Sequence, residues 1–116
     1  DAKGYGGFSP RIRLNAAQSF HSSQGQVEPT KNAIVAGSWI NIVDKNIGLV
    51  IISHSQNPGR SGAWILRRQR RMQNSVYPGR NPVPLDRERP GLLRYRLVIH
   101  DGSLSSEQMS ALEKEF

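Results

Sequence analysis

The sequence predicts a mainly β fold, an antiparallel sheet of about five or six strands followed by a short C-terminal amphipathic helix. Three observations predict it: short runs rich in β-branched residues, clusters of Asn, Pro and Gly between them, and a final segment whose apolar residues recur with helical spacing. The chain has 116 residues, a length that suits one domain. We therefore expect residues 1–116 to form a single basic, β-rich domain.

The first part of the chain contains few strand signals. Its first 33 residues are rich in Gly, Ser, Gln and Asn, and only Arg11 to Leu14 alternates between polar and apolar residues. We expect one short strand among loops in this part, and we expect residues 1–10 to be flexible.

The middle of the chain predicts two hairpins that share a strand. Residues 38–43 and 47–54 are rich in β-branched residues, and an Asp-Lys-Asn turn at 44–46 separates them. A second turn at 55–62 concentrates Asn, Pro and Gly, after which residues 63–71 can return as a strand.

A long loop and a final strand follow. Residues 73–91 contain four of the seven prolines, and proline cannot donate to a sheet, so this segment is predicted to be a long proline-rich loop. Residues 92–100 alternate and predict a half-buried strand. We expect its core face to carry Leu93, Tyr95, Leu97 and Ile99, and its other face to carry Arg94, Arg96, Val98 and His100.

The last residues, 105–116, predict a helix. Ser105 can act as N-cap, and Gln108 stands at the capping-box position. Met109, Leu112 and Phe116 share one face of this helix. We expect these three residues to pack against a sheet, either the chain's own or that of a second copy.

The positive charge is concentrated in one segment. The formal net charge is +7, and residues 60–96 contain ten arginines against two acids, Asp86 and Glu88. The planar guanidinium group suits phosphate and stacks on bases, so this segment predicts binding to nucleic acid, ahead of acidic lipid. The alternative is that a pI of about 10.6 only keeps the protein soluble or draws it to any acidic surface.

Strand periodicity suggests how these arginines are arranged. If Trp64 and Leu66 face the core, strict alternation puts Arg67 and Arg71 outward but the arginines between them inward, where an unpaired charge is costly. Either a bulge resets the register or the strand runs beyond the core. Residues 67 and 71 could then share an outer sheet face with residues 94 and 96. The predicted nucleic-acid-binding residues are Arg67, Arg68, Arg70, Arg71, Arg94 and Arg96.

Composition excludes several kinds of site. The sequence contains no cysteine, so thiolate catalysis and a Cys-ligated zinc site are excluded. His21, His54 and His100 lack the spacing of metal ligands, so we predict no metal and no cofactor. The longest strongly apolar run, residues 47–52, is far shorter than the roughly 20 residues of a membrane helix, and we predict no membrane span.

One family resemblance rests on residues 47–116. The stretch "IGLVIISHSQNPGRSGAWILRRQRRMQ", a long loop, and then "LLRYRLVIHDGSLSSEQMSALEKEF" resemble the second half of the coat proteins of single-stranded RNA bacteriophages. The resemblance implies an RNA-binding coat subunit that assembles into homo-oligomers, with RNA on the inward sheet face and a place in a virion. The chain departs from the family pattern by having one short helix where the family continues into a second helical segment.

Two other readings remain open. His100 is predicted to share a strand face with Arg94 and Arg96, and a histidine beside phosphate-binding arginines is what a basic ribonuclease domain would need. The stretch "LVIHDGSLSSEQMSAL" also resembles the strand-then-helix closure of concanavalin-like β-sandwich lectin domains. A structural nucleic-acid-binding role is favoured over both, so no catalytic residue is predicted.

Overall fold

The architecture is mainly β and ends in one short helix, as the sequence predicts. The computed structural model describes residues 6–13, 18–69 and 72–116, and within these ranges eight strands and one helix are found. The predicted sheet of about five or six strands corresponds to a five-stranded sheet, and a further three-stranded sheet is present. The elements are β1 (Ser19–Ser22), β2 (Gly25–Val27), β3 (Ile34–Val35), β4 (Trp39–Asp44), β5 (Ile47–Ser53), β6 (Ala63–Ile65), β7 (Asn74–Ser75), β8 (Tyr95–Asp101) and α1 (Ser106–Lys114).

The strands form two antiparallel sheets. The larger sheet has five strands in the order β2-β1-β4-β5-β8, and the smaller has three in the order β3-β6-β7. The predicted hairpin over residues 38–54 is confirmed as β4 and β5, which pair from Trp39 opposite Ile52 to Asp44 opposite Ile47. Lys45 in its turn has a positive φ of 55°.

The main core lies between the two sheets. Trp64 and Leu66 are fully buried, as predicted, and the indole Nε1 of Trp64 donates a 2.8 Å hydrogen bond to the carbonyl of Gly37. This bond satisfies the polar atom of the largest buried side chain. The residues of this cluster are Phe20, Ala36, Ile40, Ile42, Ile51, Trp64 and Leu66.

Helix α1 covers the opposite face of the five-stranded sheet. Ser105 is its N-cap and forms the predicted capping box with Gln108. Met109 is buried against Val50 and Ile52, and three further apolar groups, Leu104, Leu112 and Phe116, pack around them. The helix therefore packs against the chain's own sheet, the first of the two predicted possibilities. A helix of nine residues is marginal alone and depends on this burial.

Several strand boundaries differ from prediction. The strand predicted over residues 63–71 is only β6, which ends at Ile65, because the chain leaves the sheet once Leu66 has entered the core. The strand predicted over 92–100 begins three residues later, at Tyr95. The strand predicted at 11–14 is a single bridge between Arg11 and Met72, with Leu14 outside the described residues.

The two faces of β8 are reversed relative to prediction. Leu97 is 46% exposed and Ile99 is 80% exposed, whereas Val98 packs against the helix cluster. Alternation defines two faces but not which of them is covered. The helix covers the face of Val98, and the three-stranded sheet does not extend over the other face of this edge strand.

The N-terminal residues that the structure describes are held in place, although residues 1–10 were predicted to be flexible. Asn74 is fully buried, and its Nδ2 donates to the carbonyls of Gly6 and Phe8 and to the hydroxyl of Ser9 over 2.6–3.3 Å. The predicted loop at 73–91 begins with the short strand β7 and contains no other strand. The helix in the described part of the chain is too short and too polar to cross a membrane.

Candidate nucleic-acid interface

A basic groove lies on the outer face of the three-stranded sheet. Register places Val35 opposite Ala63, and Ile65 two residues further on the same face. These three side chains line the groove, and Trp64 points the other way into the core. The proline-rich segment 78–84 forms the facing wall, and the groove has a volume of about 1190 Å³.

Two Pro-Gly-Arg turns contribute arginines to this groove. Residues 58–60 and 78–80 have the same sequence, and their glycines have left-handed φ angles of 66° and 83°. Glycine adopts this conformation without steric cost, so each turn can project its arginine from a tight bend. The turns also lie close together, since a Cβ atom at Gly59 would lie 3.6 Å from the carbonyl oxygen of Pro78. Arg60 and Arg80 are exposed and line the groove together.

Arg67 is fixed at the rim of the groove by backbone carbonyls. Its Nη1 donates to the carbonyls of Thr30 at 2.7 Å and Leu66 at 2.9 Å, and its Nη2 donates to that of Lys31 at 3.1 Å. Carbonyl oxygens orient the guanidinium without neutralising its charge. Arg67 therefore contributes a positioned, net positive group.

The electrostatics of the groove are one-sided. Among the residues that the structure describes, its lining contains Lys31, Arg60, Arg67 and Arg80 and no acidic side chain. None of these four cations has an ion pair with a carboxylate in residues 6–13, 18–69 and 72–116. A concave surface lined by one sign of charge concentrates counter-ions of the opposite sign. The groove can therefore hold an anionic chain against an apolar floor.

Arg68, predicted to bind nucleic acid, has a structural role. Its Nη2 lies 3.0 and 3.2 Å from the two carboxylate oxygens of Glu28, its Nη1 donates to the carbonyl of Gln18, and its guanidinium lies 5.4 Å from the ring centroid of Phe20. Its charge is paired, and it does not line the groove.

The predicted common face of arginines 67, 71, 94 and 96 is wrong in joining Arg67 to Arg94 and Arg96. Arg67 follows a strand of the three-stranded sheet, whereas residues 94 and 96 lie at or in β8 of the five-stranded sheet. Arg96 lies 4.8 Å from the ring centroid of Phe116 on the helix-covered face. Arg94 is exposed, and the side chain of Asn57 hydrogen-bonds to its backbone. Arg70 and Arg71 lie outside the described residues.

The histidines do not assemble into a catalytic or metal site in the described part of the chain. Both ring nitrogens of His100 have hydrogen-bond partners, with Nε2 at 2.8 Å from Asn41 Oδ1 and Nδ1 at 3.0 Å from the carbonyl of Gly102. His54 contacts Phe116 instead. Within the described ranges, no three His, Asp or Glu side chains group as metal ligands.

Sequence reasoning missed three of the four groove cations. Arg60 and Arg80 belong to the arginine-rich segment but not to the predicted binding residues, and Lys31 lies outside that segment. The signal that could have found the arginines is the repeated Pro-Gly-Arg tripeptide, since two identical turns that each end in a cation suggest a common role. No local sequence signal brings Lys31 to them.

Comparison with known proteins identifies a family. The family described as "Family of unknown function (DUF6807)" matches residues 1–114, nearly the whole chain. No curated protein and no solved structure matches the chain.

Proposed function

We propose that this chain, which belongs to the DUF6807 family, is a nucleic-acid-binding structural protein that holds the phosphate backbone in its basic groove. The observation that carries the proposal is the groove itself, which four cations and no acid line in the described part of the chain. RNA is favoured over DNA because of the resemblance to RNA phage coat proteins. A coat role is the further expectation that this resemblance implies.

The groove is a better candidate than the open sheet face used by that family. Both faces of the five-stranded sheet are largely covered here, one by the three-stranded sheet and the other by α1. The outer face of the smaller sheet is open, with an apolar floor flanked by guanidinium groups. Phosphates would lie against the cations, while bases or sugars would contact the floor.

The composition of the walls supports a pre-formed site. Four prolines, at 58, 78, 82 and 84, line the groove. Proline restricts the backbone, so less conformational entropy is lost when a ligand orders the walls. Arg67 is already fixed by its three carbonyl contacts. Binding therefore requires little rearrangement of the groove.

The test is a salt titration of binding to short single-stranded RNA, single-stranded DNA and duplex DNA. Each phosphate contact contributes a slope of about −0.7 in log affinity against log salt on single strands. Changing Arg60 and Arg80 together to Gln should weaken binding to every sequence and flatten the slope by about 1 to 2. Fluorescence anisotropy of labelled oligonucleotides measures both effects.

The matched control is Arg87→Gln with Arg89→Gln. These arginines lie in the same proline-rich segment but do not line the groove. The two substitutions remove the same charge as those at Arg60 and Arg80. Their slope should stay close to that of the wild type. Equal slopes for both double variants, or no binding at low salt, would overturn the proposal.

The proposal includes a homo-oligomer formed through the free edge of β8. His54 N donates to the carbonyl of Arg94, and Gly102 N donates to that of Asn46. The even-numbered residues of β8 thus direct their backbone groups to β5, and the odd-numbered ones direct theirs outward. A second copy running antiparallel, with Val98 opposite Val98, would pair all seven residues and place exposed Leu97 opposite exposed Ile99.

A further inference from the structure

A second cavity, separate from the basic groove, lies on the helix-covered face of the five-stranded sheet. It is bounded by β1, β4, the turn after β4 and the segment that leads into α1, and its volume is about 550 Å³. Apolar side chains of Trp39, Val43, Leu104 and Met109 line part of it. A volume of this size and a partly apolar lining are typical of small-molecule sites.

One side-chain amide that lines this cavity has a donor free for a ligand. Asn41 is 8% exposed and lines the cavity. Its Oδ1 is bonded to His100 Nε2 at 2.8 Å, and its Nδ2 has no hydrogen-bond partner in the described part of the chain. This amide nitrogen is not among the fully buried unpartnered atoms, so it can be reached from the cavity, and a ligand acceptor could take a hydrogen bond from it.

A cation lines the same cavity from a turn whose backbone conformation is unfavourable for its residue type. Lys45 lines the same cavity and has a φ of 55° in the turn between β4 and β5. Lysine is unfavourable in this left-handed conformation, whereas Gly, Asn and Asp tolerate it. Strained residues cluster at functional sites, where the side chain is needed despite the strain.

The described residues place no opposing charge in the cavity, since no carboxylate is found among the side chains of residues 6–13, 18–69 and 72–116 that line it. Asp44 and Asp101 are the nearest acidic residues along the strands. Each follows a residue on the cavity face, so strand alternation places both on the opposite face of the sheet. His21, Ser103 and Ser106 add further polar groups to the lining.

We infer that this cavity binds a small organic anion, in which a carboxylate or phosphate meets Lys45 and Asn41 and an apolar ring lies against Trp39 and Met109. The ammonium group offers charge, and the free amide N–H offers a directed hydrogen bond to the anion. We expect the ligand to carry an apolar ring because the apolar wall of the cavity would exclude water from the part of the ligand that lies beyond the anionic group. The inference is independent of nucleic-acid binding in the groove.

The experiment titrates the full chain with phenyl phosphate, benzoate and uncharged phenol. Proton–nitrogen NMR spectra report each amide separately. They therefore show where the probe binds and also give its affinity. Binding of an anion should shift the signals of the Asn41 side-chain amide and the Trp39 indole. Phenyl phosphate against benzoate distinguishes the two anion classes, and phenol should bind at least severalfold more weakly than the better anion.

Two substitutions at one position separate binding from folding. Lys45→Gln should weaken binding of the preferred anion about fivefold, the effect of one partly exposed charged contact of about 1 kcal/mol. Lys45→Asn should weaken binding similarly while it raises the midpoint of urea unfolding, because asparagine tolerates the left-handed turn. Lys114→Gln removes the same charge at the end of α1 and should leave affinity unchanged.

Three results would overturn the inference. One is equal affinity for phenol and for both anions. Another is unchanged affinity in Lys45→Gln with the signal shifts still at the cavity. The third is shifts confined to the basic groove around Arg60 and Arg80, which would assign the anion to that site instead.

Discussion

The imidazole of His100 occupies the space that a side chain at Gly48 would need. The two residues are direct cross-strand partners of β8 and β5, and a methyl group at position 48 would overlap the ring atoms of His100. The ring crosses this glycine and reaches Asn41 on the next strand. Gly48 therefore permits a hydrogen bond that spans three strands.

Gly48→Ala should consequently destabilise the fold, although alanine is normally preferred to glycine in a strand. We expect the free energy of unfolding to fall by about 1–3 kcal/mol, because the ring must move and its bond to Asn41 is lost. Urea denaturation measures this change. In a His100→Ala background the same substitution should be neutral or stabilising, and an equal loss in both backgrounds would refute the steric explanation.

Asn57 should be another position where one side chain stabilises two segments. It is buried, its Nδ2 donates to Ser53 Oγ at 3.1 Å and to the Arg94 carbonyl at 2.8 Å, and its Oδ1 accepts from Arg94 N at 2.7 Å. Asn57→Ala leaves Arg94 N–H without this partner, while the Arg94 carbonyl keeps its bond from His54 N. The substitution should lower the free energy of unfolding by about 1–3 kcal/mol.

The neighbouring Gln56 provides the control for this substitution. Its side chain is exposed, so Gln56→Ala should change the free energy of unfolding by less than about 0.5 kcal/mol. Because Asn57 precedes the first Pro-Gly-Arg turn, Asn57→Ala should also weaken RNA binding through Arg60. Similar stability of the two variants would contradict the role given to the buried amide.

The terminal helix should depend on Met109 for its position. Met109 is the buried residue of α1 and contacts the cluster of Val50 and Ile52. Met109→Ala should lower the free energy of unfolding by about 2–4 kcal/mol, through lost burial and the cavity left behind. The exposed Ser110→Ala is the control, since it raises helix propensity without touching the sheet. A Met109→Ala variant as stable as Ser110→Ala would show that the helix contributes little.

The local structure was predictable where one short segment contains all the information. The capping box of Ser105 and Gln108 and the β4–β5 hairpin follow from adjacent residues, and both are confirmed. The buried face of β8 was not predictable, because it depends on whether α1 or the smaller sheet covers the strand. The groove was missed for the same reason. Its cations at positions 31 and 80 are brought together by pairing between distant segments.

The missed strands have a related physical explanation. β1 has the sequence Ser-Phe-His-Ser, and β7 consists of Asn74 and Ser75. Neither segment has the β-branched residues that mark a strand in isolation. β7 is stabilised by partners elsewhere, since Asn74 binds the N-terminal segment and pairs opposite Ile65. Such strands are set by tertiary contacts, so propensity alone does not reveal them.

The free edge of β8 should govern association between copies. Ile99 is 80% exposed in the middle of an edge strand whose odd-numbered residues direct backbone groups outward. Ile99→Lys places a charge opposite Leu97 of the second copy, and charge on an edge strand opposes further pairing. We expect this variant to remain folded and to shift from oligomer to monomer in light scattering coupled to size exclusion.

Leu85→Lys provides a close control, since Leu85 is also 80% exposed but lies in the proline-rich loop. Its oligomeric state should match that of the wild type. A monomeric wild type, or an Ile99→Lys variant that keeps the same mass, would exclude the β8 edge as the interface.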